Sequence, residues 1–353
     1  MRRADVRAPR VAVVGATGMV GAELLRLLEA RRFPVASLLP FSSGSAKKSV
    51  RFRGRTITAP GVSAAALAQC DLAFFVSADE VSEKLAPALA ARGAWVIDDS
   101  AAFRLDPKVP LVIPEVNGSA LSAHKRLIAG PNCTMTGLAV AGKLLHERFG
   151  CTAARVASYQ AVSGAGRAAL EEFFSQSRRR AGELRMEGVR APVLKSLPYS
   201  VLPAPIAGNV IPQIGRFDAQ GHSSEERKVA AELRKIWAAP RLCASVTAVR
   251  VPVSRGHSLA AWLEFRRPVS VAQAAAVLRR TPGLVFAEDG DYPTPLSVGG
   301  KAPVYAGRLR AGANTKELCL WIVSDNLLKG AALNSVQIAE ELLRRGWLKG
   351  RAA

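Results

Sequence analysis

The sequence predicts an α/β chain of two domains. The first is a doubly wound parallel sheet; the second is α+β with a mostly antiparallel sheet. Three observations carry the prediction. Residues 10–31 read as a short apolar run, a glycine-rich turn and a periodic helix. Residues 71–98 alternate buried runs with a helical stretch, the pattern of strands joined by helical crossovers. After Gly150 the pattern changes to alternating apolar and polar runs, as in strands with one buried face. At 353 residues the chain is too long for one ordinary domain and long enough for two sizeable cores.

The opening run, RVAVV at Arg10–Val14, leads into GATGMVG and the helix AELLRLLEARR. Strand, glycine turn and helix in this order open a Rossmann-type dinucleotide-binding unit. Gly15 permits the tight turn, Gly18 lets a pyrophosphate approach the backbone, and Gly21 lets helix and strand pack closely. The spacing is GxxGxxG rather than GxGxxG, so context carries the reading. The end of the second strand usually holds a carboxylate for the ribose hydroxyls of NAD. Here residues 35–54 have none and offer Ser42, Ser43, Ser45, Lys47 and Lys48. Hydroxyl and ammonium groups suit a 2′-phosphate, which favours NADP; a basic solvent loop is the competing reading.

DLAFFVS at Asp71–Ser77 and Trp95–Asp98 read as further buried strands, with the helix EVSEKLAPALAARG between them. Arg104, in DDSAAFR, follows a strand end, where parallel sheets gather ligands. Its planar fork suits a phosphate, although an exposed arginine without a role is the default. In IAGPNCTMTG, Pro131 and Asn132 break any helix before Cys133, and apolar residues at helical spacing follow. Cys133 is therefore expected at a helix N-terminus, where free N–H groups and the dipole favour a thiolate nucleophile. A small buried hydrophobe is the alternative.

Ala154–Ala161 reads as a strand, with Gln160 as an amide donor at its end and the pliant SGAG of Ser163–Gly166 after it. Residues Ser175–Pro198 read as a long surface connection, and the proline-rich, apolar Pro198–Ile214 as an interface or a covered loop. Ser224 is expected to cap the helix EERKVAAELRKIW. Glu225 and Lys228 share a face of it, which a plain salt bridge also explains. Ala248–Val253 and Leu259–Phe265 read as strands of an antiparallel sheet. Between them, Pro252 and Gly256 break the alternation, so Arg250 and His257 can point into one site. A core histidine is the alternative for His257. Ser270 and Gln273 have capping-box spacing. The final helix, AALNSVQIAEELLRR, stops at Gly346.

Composition narrows the function classes. No apolar run reaches membrane-spanning length, and no signal peptide is read at the N-terminus. The five scattered cysteines, odd in number and without a CxxC, argue against a disulfide framework or a zinc site and for a reducing cytoplasm. No metal is expected. The net charge of +21 raises the question of nucleic acid. However, the arginines are spread along the chain, the only dense run is Arg178–Arg180, and no nucleic-acid motif is present. A solvated arginine-rich surface is the expectation, and its field would also steer an acidic substrate.

Taken together, GATGMVG, DDSAAFR, PLVIPEVN, GPNCTMTG, SYQAVSGAG, EERK, RVPVSRGHS, YPTPL and DNLLKGAALNSVQIAE run in one order through nearly the whole chain. The chain resembles the bacterial aspartate-β-semialdehyde dehydrogenases. The resemblance implies NADPH-dependent reduction of L-aspartyl-4-phosphate through a cysteine thioacyl intermediate, in lysine, threonine, methionine and diaminopimelate biosynthesis. It implies Cys133 as nucleophile, Gln160 as the orienting amide and His257 as acid/base. Arg250 would clamp the substrate carboxylate and Glu225 its amino group. Arg104, Lys228 and Asn132 would meet the phosphate. Thr17, Gly18, Met19, Val20, Ser163, Gly164 and Asn326 would line the cofactor, joining Gly15, Ser42 and Ser43 as read above from the turn and the second strand.

The expected partners are the acyl phosphate or semialdehyde and inorganic phosphate, in a homodimer or homotetramer. The expected domains are 1–133 completed by 327–353, and 134–326. This chain departs from the family pattern at Gly44, where an arginine is usual, at Asp79 near the expected cofactor edge, and at Gly130. Two other readings are an N-acetylglutamyl-phosphate reductase, which NCTMTG and SYQAVSGAG disfavour, and a weakly active basic paralogue that binds nucleic acid.

Overall fold

The computed structural model describes residues 7–42, 48–183, 196–288 and 290–350. In chain order its elements are β1 (Arg10–Val14), α1 (Met19–Ala30), β2 (Ser37–Phe41), β3 (Lys48–Phe52), β4 (Arg55–Ala59), α2 (Ala64–Leu67), β5 (Leu72–Phe75), α3 (Asp79–Ala91), β6 (Trp95–Asp98), α4 (Pro114–Asn117), β7 (Leu127–Ala129) and α5 (Cys133–Phe149). There follow β8 (Cys151–Gln160), α6 (Arg167–Glu183), α7 (Ser224–Ile236), β9 (Cys243–Arg250), β10 (His257–Phe265), α8 (Val271–Leu278), β11 (Leu284–Phe286), α9 (Pro295–Val298), β12 (Val304–Ala311), β13 (Glu317–Ser324) and α10 (Leu333–Arg344).

The chain divides into two compact units. The first takes Met1–Ala139, Glu232–Ala239 and Leu327–Ala353. Its sheet has the order β2-β1-β5-β6-β7, with every neighbouring pair parallel. Alternation along each strand sends side chains to two faces. Val11, Val13, Phe74 and Ile97 pack in one buried cluster with Leu24 and Leu28 of α1 and Val336, Ala339 and Leu342 of α10. Ala12, Val14, Ala73, Phe75 and Val96 pack in a second with Leu67, Ala86 and Leu89. Both faces of the sheet are thus covered, as an all-parallel sheet requires. Trp95 stacks on Trp347 and donates its indole N–H to the Trp347 carbonyl, which ties the C-terminal segment to β6.

The second unit takes Val140–Ala231 and Pro240–Asn326. Its sheet has the order β11-β12-β13-β10-β8-β9. The sheet is mixed: β8 with β9 and β11 with β12 are parallel, and the other pairs are antiparallel. The two runs read as strands of an antiparallel sheet, β9 and β10, lie on either side of β8, antiparallel to it at β10 and parallel at β9. This brings Arg250, paired with Gln160, and His257, at the start of β10, to the same end of β8.

Three further expectations are corrected. Ser175–Glu183 is not a surface connection but the second half of α6. Its buried face is polar, so no apolar period marks it. Gln176 accepts from the Ile206 and Ala207 N–H groups and donates to the Pro198 carbonyl, and Arg180 donates to the Ala207 carbonyl. The cap of α7 is Ser223, not Ser224: Ser223 and Glu226 each accept from the other's backbone N–H, a capping box. The last helix is preceded by a π turn at Leu328–Ala332, and α10 proper begins at Leu333. The Ser270–Gln273 capping box is present. No helix among the described residues is long and apolar enough to cross a membrane, and no His/Cys/Asp/Glu cluster suited to a metal is found among them.

Candidate active site

The first unit holds the nucleotide turn and the cysteine. Gly15 has φ +88°, and a Cβ there would collide with the Val76 carbonyl oxygen; a Cβ on Gly21 would collide with that of Gly15. Gly18 donates to the Gly15 carbonyl at 3.0 Å. No side chain caps α1, so its first N–H groups are left for an anion, and Gly18 is exposed with Thr17, Met19 and Val20 half-buried around it. These residues fit a dinucleotide pyrophosphate. Asp79, the carboxylate near this edge, accepts from the Ala101 N–H at 2.8 Å and so braces the 99–104 loop. Ser42 is buried with its hydroxyl on the Pro60 carbonyl, while Ser43, Gly44, Ser45 and Lys47 lie outside the described residues.

Cys133 is the first residue of α5 and is half-buried. Asn132 makes that start possible: its side-chain oxygen accepts from Thr134 N at 2.8 Å and Met135 N at 3.1 Å. Without this cap, two of the helix's orphan N–H groups would lie buried and unmet. Gly330, in the π turn, presses against the cysteine, since a Cβ there would stand 2.8 Å from Cys133 Cβ. Its neighbour Lys329 is buried and anchored on Glu115, Gln337 and Asn334.

Arg104 is mostly buried and ion-paired, not an idle surface arginine. Nη1 donates to Glu232 at 3.2 Å and Nη2 to the Asp99 carbonyl at 2.6 Å. Burial opposes its charge, but Glu232, Cys133 and Asp99 more than offset this and hold the guanidinium above its ordinary range. The attraction is mutual, so Arg104 favours a Cys133 thiolate. Burial also pushes the Asp99 carboxyl up to about 7. One of its oxygens accepts from Ser335 at 2.6 Å, and the other is buried without a partner among the described residues. A Cβ at residue 130 would collide with this carboxyl, which accounts for Gly130.

The second unit gathers Gln160, Glu225, Arg250, His257, Ser163, Gly164 and Asn326. Gln160 donates to Ser158 Oγ at 3.2 Å and to Glu225 at 3.1 Å. Ala161 is the hub. Its carbonyl accepts from Arg250 Nη1 at 2.7 Å, and its N–H donates to His257 Nδ1 at 3.0 Å. A backbone N–H can only donate, so Nδ1 is the acceptor and the proton of the neutral ring sits on Nε2. Burial, and then the Arg250 charge, hold His257 well below its ordinary pKa. Gly164 leaves room here, since a Cβ would stand 3.0 Å from Arg250 Nη1 and 3.2 Å from His257 Nε2.

Asn326 bonds Ser163 and the Gly256 N–H, and Asp325 accepts from Arg255 at 2.6 Å and from Gly300 N. Together they fix the turn before His257. Lys228 is half-buried on α7, and its side chain makes no hydrogen bond or ion pair among the described residues.

Glu232 was not singled out from the sequence. It is fully buried, and it lies seven residues after Glu225 and four after Lys228. All three therefore share one face of α7, and extending the Glu225–Lys228 spacing by one turn finds it.

A family model described as "Semialdehyde dehydrogenase, NAD binding domain" matches residues 10–124, and "Semialdehyde dehydrogenase, dimerisation domain" matches 143–329. The aspartate-semialdehyde dehydrogenase of Shewanella violacea is 42% identical over 342 residues, 95% of this chain and 97% of that protein. The Bacillus subtilis enzyme is 40% identical over 95% of this chain and 98% of its own length. The crystal structure of aspartate semialdehyde dehydrogenase II from Vibrio cholerae complexed with ASA superposes with a TM-score of 0.88 at 37% identity, covering 96% of this chain and 98% of that one. These relatives do not favour the acetylglutamyl-phosphate or nucleic-acid readings. The chain is an oxidoreductase and belongs to the aspartate-semialdehyde dehydrogenase family.

Proposed function

We propose that the protein reduces L-aspartyl-4-phosphate to L-aspartate 4-semialdehyde with NADPH, through a thioacyl intermediate on Cys133. The observation that carries this reading is the cysteine at the first turn of a helix capped by Asn132, with the Arg104 charge acting on it. Cys133 Sγ attacks the acyl carbon; the C–S bond forms, and the C–O bond to the phosphoryl group breaks with release of phosphate. When bound, the nicotinamide supplies the hydride that reduces the thioester.

His257 presents Nε2–H, so it acts on the intermediate's oxygen as a donor while the C–S bond breaks and the thiolate is restored. Its depressed basicity keeps the ring neutral through that step. Arg250 binds the substrate carboxylate, Glu225 its ammonium, and Arg104 and Lys228 the phosphate, with Gln160 orienting the acyl group. Ser163, Gly164 and Asn326 join the glycine turn in holding the cofactor. NADP is proposed over NAD because the second strand lacks an acidic end. The enzyme works in the cytoplasm as a homodimer or homotetramer.

The reverse reaction tests the reading: initial rates with semialdehyde, phosphate and either NADP or NAD at saturation. Turnover dependent on phosphate and faster with NADP is expected. Cys133→Ser is expected to lower kcat by a factor of about a thousand or more. Undiminished turnover in that variant, or none in the parent protein, overturns the proposal.

A further inference from the structure

Glu232 lies where a phosphate ligand of Arg104 would compete with it. Its carboxylate has no exposure, and it bridges two donors: Oε1 accepts from Arg104 Nη1 at 3.2 Å and Oε2 from the Asn132 backbone N–H at 2.7 Å. Burying a carboxylate is costly unless it is paired and hydrogen-bonded, and here it has both forms of compensation. Lys235, one turn further along α7, grips the loop that carries Arg104 by donating to the carbonyls of Arg104, Asp106 and Val109 at 2.8, 2.6 and 2.8 Å. Glu232 acts on the guanidinium and on the start of α5. Arg104 keeps one buried N–H, Nε, without a partner among the described residues.

We propose that Glu232 is a positioning residue of the phosphate site: a resident counter-anion that aims Arg104, holds the Asn132 N–H, and limits how tightly phosphate is kept. The inference rests on the reading of Arg104 as a phosphate ligand. The Arg104–Glu232 ion pair is neutral as a whole. A phosphate approaching the guanidinium meets a cation whose charge Glu232 already offsets and a carboxylate that repels it at short range. A bare guanidinium at a helix start would hold phosphate more firmly and release it more slowly.

The test uses the full chain and inorganic phosphate as probe. Glu232→Gln removes the charge and keeps one acceptor, so a single amide oxygen must choose between Arg104 and Asn132 N–H. Calorimetric titration is expected to show phosphate bound about tenfold more tightly than by the parent. In the reverse reaction the KM for phosphate falls while that for semialdehyde stays constant. In the biosynthetic direction phosphate becomes the stronger product inhibitor. Unchanged or weaker phosphate binding in a folded Gln variant overturns the proposal.

Glu232→Asp covers the case in which the Gln variant fails to fold. It keeps the charge but draws it back, so phosphate affinity within about twofold of the parent and a lower kcat at constant semialdehyde KM are expected. An Asp variant with the parent's kcat overturns the proposal equally. Lys235→Met is the structural control, expected to lower Tm without tightening phosphate. A parent protein that binds phosphate calorimetrically yet turns over no semialdehyde would sink the functional reading and leave this one standing.

Discussion

At the residue scale, single atoms decide what the site groups can do. His257 donates through Nε2 because one backbone N–H occupies its other nitrogen. Asp99 is the counterpart in the first unit, a carboxyl pushed up to about 7 by burial. A raised carboxyl binds its proton more tightly folded than unfolded. Its effect on stability is nil below the unfolded value near 3.8, grows unfavourable as pH rises through that value toward about 7, and is then a constant penalty. Asp99→Asn should match the parent near pH 4 and exceed it above pH 7, by at most about 4 kcal/mol. Urea unfolding across pH measures this, and parallel stability curves for the two proteins would refute it.

At the element scale, what the sequence disclosed depended on what each element buries. The strand–turn–helix at 10–31 was legible because its period is apolar and its glycines have steric work to do. The start of α5 was legible because Pro131 and Asn132 leave a helix no earlier beginning. The second half of α6 was not, because it turns Gln176 and Arg180 inward to meet loop backbone, and hydrophobic periodicity cannot register a polar core. Gln176→Leu should therefore cost about 3 kcal/mol by denaturant midpoint, despite being more apolar, since two N–H groups and a carbonyl lose their partners. A Leu variant as stable as the parent would show that this backbone finds other partners. Glu232 escaped for a related reason: a helical Glu four residues from a Lys reads as a surface pair until burial is known.

At the scale of the whole molecule, charge and association pull against each other. Each chain carries +21, from 49 basic and 28 acidic side chains, so copies repel at long range. Tyr199, Val201, Val210 and Phe217 are each about half exposed, and they offer apolar area that can outweigh the repulsion once it is screened. Light scattering should give a mass of two or four times 37.4 kDa at about 150 mM salt. Any dissociation should appear on lowering the salt. A monomer at micromolar concentration at every salt would refute the proposed assembly. The order of the second sheet, with β8 between β9 and β10, was beyond the sequence, because alternation marks strands but not their neighbours.

The backbone of Ala161 accepts from Arg250 through its carbonyl and donates to the His257 ring through its N–H, and the arginine's charge helps keep that ring unprotonated. A carboxylate that settles on Arg250 cancels part of that influence. Recognition of the amino-acid end of a substrate and readiness of the proton donor are therefore mechanically and electrically joined through one residue. Anyone redesigning Arg250 to accept a different acid would retune His257 in the same stroke.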